Sequence, residues 1–183
     1  MNQALYQSIA KSTAHRPIRD YHAALVFENP PLLDDLMRFA LDTQDQNHHK
    51  ACWILELVLE KNTEWLAPYL DGFCETLPQF KHDGAVRSIS KICQFAATRH
   101  QKTKHFLSDA QLKTITEVCF DWLIGEAKVA SKAYAMRALL QNGKTESWIY
   151  PELSVVLEMG YSQHSAAYQA AAKEILKKIK VLK

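Results

Sequence analysis

His48–Glu60, HHKACWILELVLE, decides how this chain is read. Ala51, Cys52, Leu55, Val58 and Leu59 recur at steps of three and four, the period of an α-helix with one buried stripe. The Lys50-Ala51-Cys52 centre returns, loosened, at Gly84-Ala85-Val86, Lys132-Ala133-Tyr134 and Ala166-Ala167-Tyr168. The middle alanines stand 34, 48 and 34 residues apart. Each copy lies in a predicted helix that follows another predicted helix after a short polar break. A period near 34 with two helices per unit marks a helical solenoid, in which no pair buries its apolar stripe alone and neighbours must stack. A compact helical bundle without repeats is the alternative, since four degenerate copies of a short motif constrain the layering only partly.

Outward from that stretch, the same periodicity predicts a first helix over Asn2–Ala14 and a second carrying Ile18, Tyr21, Leu25 and Val26. Asn29-Pro30-Pro31 stops the second, because a prolyl nitrogen cannot donate and the preceding residue avoids the α region. A third helix holds Leu32 to Ala40. Beyond the organising helix, a helix is expected from Thr63 to Leu77, closed by Pro78, with its partner opening at His82-Asp83-Gly84. Arg99–Ser108 reads as an irregular insertion that accounts for the long spacing. Ser108-Asp109 caps the next helix, which Gly125 ends in an expected left-handed conformation. Val129, Ala133, Met136 and Leu140 mark its partner, and Trp148–Met159 with Ser165–Leu182 make the last pair. The fold class expected is all-α, an α-α superhelix of about five antiparallel helix pairs, forming a single domain over residues 1–183.

Composition narrows the classes. With 183 residues, 48% apolar and 23% charged, the chain is long enough to bury a core and has an ordinary globular balance. No apolar run approaches the roughly 18 residues that span a bilayer, so no membrane partner is expected. The first twenty residues lack the apolar core of a secretory signal. A plain first helix suits them better than a transit peptide. Cys52, Cys74, Cys93 and Cys119 are scattered in apolar contexts and form no close pair. They read as reduced core thiols of a cytoplasmic protein, not as zinc ligands. The net charge of +2 conceals −4 over residues 1–90 and +6 over residues 91–183. Much of that excess sits in KEILKKIKVLK at residues 173–183, where a helix dipole itself favours lysine.

Residues 32–180 resemble HEAT-like repeats of the α-α superhelix type. The segments KACWILELVLEKN (50–62), AVRSISKICQF (85–95), CFDWLIGEAKVASKAYAM (119–136) and WIYPEL (148–153) are also similar to a group of small HEAT-like bacterial proteins. Some members of that group carry the label adenylosuccinate lyase, so a lyase is one activity the resemblance implies. The lyase superfamily's Ser-Ser-x-Met-Pro-x-Lys-x-Asn loop is absent from this chain, and no lyase residue can be placed on it.

The resemblance implies that second helices line a concave, partner-holding surface. His49, Trp53, Glu56 and Glu60 are expected on the face opposite the core, with Asp83, Arg87, Ser90 and Gln94 equivalent in the next copy and Ser131, Ala135, Ala138 and Asn142 in the third. A protein-binding groove is therefore expected at His49, Trp53, Glu56, Asp83, Arg87 and Lys91, since Trp and Arg are favoured interface anchors. Against it stands a Trp53 tucked under its neighbour amid merely solvated charges.

Arg99, Lys102 and Lys104, in the run RHQKTKH, are the candidate phosphate clamp of a nucleic-acid-binding alternative. Asp42, Asp45, His48 and His49 could hold a metal, but a polar loop entering a helix accounts for them more simply. Ser88-x-x-Lys91 and Ser8-x-x-Lys11 match a nucleophile motif without its supporting motifs. Glycine-rich phosphate loops, His-Glu-x-x-His and dinucleotide fingerprints are missing, so neither cofactor nor metal is expected. The function expected is a non-enzymatic protein-binding or scaffold module.

Overall fold

A computed structural model of the chain describes residues 2–103 and 105–182. Ten α-helices follow one another: α1 Gln3–Ala10, α2 Arg16–Glu28, α3 Leu32–Leu41, α4 His48–Lys61, α5 Leu70–Thr76, α6 Asp83–Lys102, α7 Asp109–Ile124, α8 Val129–Asn142, α9 Ile149–Gly160 and α10 Ala166–Leu182. Short 3-10 turns occupy Thr63–Tyr69, Leu77–Gln79 and Tyr161–Gln163, and no strand occurs among the described residues. The helices form two compact units, Met1–Ile92 and Cys93–Lys183, with the boundary inside α6.

In the first unit α4 is central. It packs on α2 and α3 and touches α1 and the Thr63–Tyr69 turn. The expected stripe of five residues widens to nearly the whole circumference, with Ile54, Glu56 and Leu57 also buried. A helix enclosed on several sides loses its one-faced pattern. Truncating Leu55 or Leu59, both fully enclosed, would cost about 2–5 kcal/mol through lost burial and the cavity left behind. The proline signals act as expected at α2, which has Pro17 in its first turn and ends at Asn29 before Pro30.

The helix expected from Thr63 to Leu77 is broken. A 3-10 stretch runs to Tyr69, α5 is only seven residues long, and a second 3-10 turn follows. Pro68 is the cause, because its nitrogen cannot donate and its ring crowds the preceding turn.

In the second unit α8 is central, packed against α7, α9 and α10. Ser131, Ala135, Ala138 and Asn142, expected on an open face, are fully buried, while Ala133 is only half-buried. Small side chains mark where neighbouring helices approach closely, not where solvent lies. Ala167 is likewise exposed, and Tyr168, Ala171, Ala172, Ile175 and Ile179 form the inner face of α10.

Two further expectations are corrected here. The insertion Arg99–Ser108 is shorter than its sequence suggests, because α6 continues to Lys102. Gly125 has φ −75° and is not left-handed. A side chain is excluded there by space, since a Cβ would lie 2.9 Å from the Asp121 carbonyl oxygen that receives the Gly125 N–H. The Ser108 cap is present as a reciprocal box with Gln111.

Candidate functional site

Glu56 is the point at which α4 meets the first half of α6. Its carboxylate, on a side chain only 2% exposed, accepts from Arg87 Nη1 at 3.0 Å, Ser88 Oγ at 2.6 Å and Lys91 Nζ at 3.0 Å. Lys91 also donates to Glu60 at 2.9 Å. Burying an ionised carboxylate is costly unless several donors surround it, and here three do. Burial works against the Lys91 ammonium, but its bonds to Glu60 and Glu56 prevail and raise its pKa.

The expectation that Glu56 faces a partner is therefore corrected. An acidic residue on a helix reads as solvent-facing until its basic partners are found 31 to 35 residues away. Ser90, also expected on the open face, is fully buried and donates to the Arg87 carbonyl. The Ser88-x-x-Lys91 pattern is explained by the same node: serine and lysine converge on Glu56, and the buried Ser88 hydroxyl is spent as a donor to it.

Beside this node lies a ring cluster at the N-terminal end of α4. His49 stacks on His82 with centroids 3.9 Å apart and planes 13° apart, and meets Trp53 edge-on at 5.0 Å. His48 touches His82 and Phe80 at 6.0 and 6.1 Å. Burial, then the neighbouring His82, His48 and Lys50, push the His49 imidazole down to about 4. The Gly84 N–H donates to His82 Nδ1 at 3.1 Å, and a Cβ at Gly84 would stand 3.0 Å from Trp53 Nε1. Glycine at that position lets the start of α6 lie against the indole. The structure thus gathers His49, Trp53, Arg87 and Lys91 around the α4–α6 contact, with the exposed Asp83 next to Gly84. Trp53 is half-buried, so it neither stands free nor disappears under its neighbour.

Asp45 serves its loop. Its carboxylate accepts from the Tyr6 hydroxyl and the Asn47 N–H, both at 2.6 Å, and its carbonyl binds His48 Nδ1 at 2.7 Å. No cluster suited to a metal ion occurs among the described residues.

Arg99 and Lys102 lie on the last turns of α6, Arg99 half-buried and Lys102 exposed, and Lys104 falls outside the described residues. His100 holds the following loop, its Nδ1 accepting the Leu107 N–H at 3.0 Å. Burial, helped by His105, lowers its pKa and keeps that lone pair available.

Sequence reasoning missed the motif lysines. Lys132 Nζ donates to the carbonyls of Leu123 at 2.9 Å and Gly125 at 2.7 Å, and Lys50 Nζ donates to the carbonyl of Ala10. In two copies of the repeat, the lysine thus closes the C-terminal end of an earlier helix.

Stacked α-helical pairs, with a lysine and a small residue recurring at the same place, define a helical-repeat protein. The chain matches the HEAT repeat domain over residues 1–179 and belongs to that family. No curated protein and no solved structure matches it. No described helix is long and apolar enough to cross a membrane.

Proposed function

We propose that the chain is a non-enzymatic scaffold module that holds a protein partner at His49, Trp53, Asp83, Arg87 and Lys91, in a reducing, cytoplasmic setting. The observation that carries this reading is the half-buried Trp53 between a stack of imidazoles and the Arg87 guanidinium, whose side chain is 40% exposed. Tryptophan and arginine side by side are the residues most often found to anchor a partner. Glu56 acts beneath them, fixing Arg87 and Lys91 in place. The hydroxyl and amine that might have formed a nucleophile are already engaged by Glu56, which favours binding over catalysis. Four buried free thiols support the reducing compartment.

The test is affinity capture from native lysate with wild type and with Trp53→Ala/Asp83→Lys. Arg87 is left alone, since a carboxylate there would face Glu56 and unfold the node. A specific co-purifying protein lost in the variant, with helicity unchanged, supports the proposal. Identical capture profiles overturn it.

A further inference from the structure

The second unit carries a hollow of about 350 Å³ that the α4–α6 surface does not share. Its floor is Leu112 and Thr116 on α7, its wall the Trp148 indole, and its rim Asp109, Glu117, Glu146 and Lys113. Residues 109, 112, 113, 116 and 117 follow the three- and four-residue steps of one helix face. Reciprocal capping by Ser108 and Gln111 fixes where that face begins.

The floor makes no polar demand on a guest. The Thr116 hydroxyl donates to the Leu112 carbonyl at 2.8 Å and accepts from Asn142 Nδ2 at 3.0 Å. Trp148 is held by stacking on Phe120, with centroids 6.3 Å and planes 22° apart, yet stays 51% exposed. Val155 and Met159 continue the same face of α9 by helical period, and Ile124 continues that of Phe120; all three are exposed. Contiguous exposed apolar surface of this kind, edged by polar groups, marks an interaction site.

The charge selects the occupant. Residues 93–183 contain 13 Lys and Arg against 8 Asp and Glu, yet three of those eight carboxylates ring this hollow. Lys113 is the single cation on the rim and is turned to Glu117 at 3.8 Å. An acidic rim on a basic half is a local feature, and it repels acidic segments while steering basic ones inward.

We infer that this hollow binds a basic segment of a partner protein. An aliphatic side chain of that segment seats between Leu112 and Trp148, and flanking lysines or arginines face Asp109, Glu117 and Glu146. A cation over the open part of the indole gains a further attraction from the ring.

The experiment titrates the full chain against a fluorescent peptide of alternating arginine and leucine, and against its counterpart with glutamate for arginine. The arginine peptide should bind and release with rising salt, while the glutamate peptide should not bind. Trp148→Ala should weaken binding about tenfold, and Glu117→Lys/Glu146→Lys should abolish it, both with helicity unchanged. Trp53→Ala/Asp83→Lys should bind the peptide normally, which separates this surface from the one proposed above. The inference is overturned by equal binding of both peptides, by no binding, or by indifference to the rim and Trp148 substitutions. It is also overturned if wild type self-associates and Glu117→Lys/Glu146→Lys is monomeric, since the occupant would then be a second copy of the chain.

Discussion

The ammonium of Lys132 lies 2.7 Å from the carbonyl oxygen of Gly125, and this contact closes the C-terminal end of α7. The last carbonyls of a helix have no partner within it, and a cation placed there satisfies them and complements the dipole. Lys50 does the same for Ala10 at the end of α1. The repeat therefore conserves a physical task within this one chain: the second helix of a pair supplies the cap of an earlier one.

Lys132→Met keeps the aliphatic stem and removes the donor. Two carbonyls lose a charge-assisted bond, while relief of the buried ammonium, whose pKa desolvation lowers, offsets part of that loss. Stability should fall by about 1–2 kcal/mol, read as a lower urea midpoint with an unchanged slope.

Glu56→Gln leaves the shape of the node and takes away its charge. Arg87 and Lys91 then face a neutral acceptor, although Lys91 retains Glu60. Breaking a buried pair from one side costs about 3 kcal/mol. Adding Lys91→Met should cost less in Glu56→Gln than in wild type, because the two share one interaction. Strict additivity in that double-mutant cycle would show that the node carries no coupling.

Gly143, at the end of α8, has the Tyr150 ring where a side chain would be. A Cβ there would lie 2.2 Å from the nearest ring carbon. Gly143→Ala should destabilise by about 1–3 kcal/mol through overpacking, and Tyr150→Leu in the same chain should recover part of the loss. If the double variant is no more stable than Gly143→Ala alone, the ring is not what excludes the methyl.

The number, order and ends of most helices were legible in the sequence, because proline, the Ser108 cap and three-to-four spacing act locally. What was not legible depends on surroundings. α8 hides Ser131, Ala135 and Ala138 because three helices pack on it, and small residues do not announce which side is covered. The long spacing between the second and third copies disguised α6 as ending early. At the candidate site, His49, Trp53, Arg87 and Lys91 were placed on the right pair of helices, but Glu56 was read as open. Only its three-dimensional partners reveal that a lone glutamate is the buried end of a network. His82 and Trp148 had no periodic signal at all, one lying in a turn and the other at a helix cap.

The His49–His82 stack should make folding sensitive to mild acid. In the folded chain His49 resists protonation down to about 4, because burial disfavours its charge and His82, His48 and Lys50 would repel it. Unfolded, the same imidazole titrates near its ordinary 6.5. Between those values the unfolded chain takes up a proton that the folded one refuses, so this contribution is complete above pH 6.5 and declines as pH falls towards 4. His100, also held low by burial, acts with the same sign. Glu174 is held below its ordinary 4.5 by Lys178 and Arg137, so its own contribution is lost only at more acidic pH. His49→Phe keeps a flat ring against His82 and Trp53 and cannot take a proton. Urea midpoints measured from pH 7 to 4.5 should therefore fall less steeply in His49→Phe than in wild type. Parallel curves would show that this stack is not where the acid sensitivity arises.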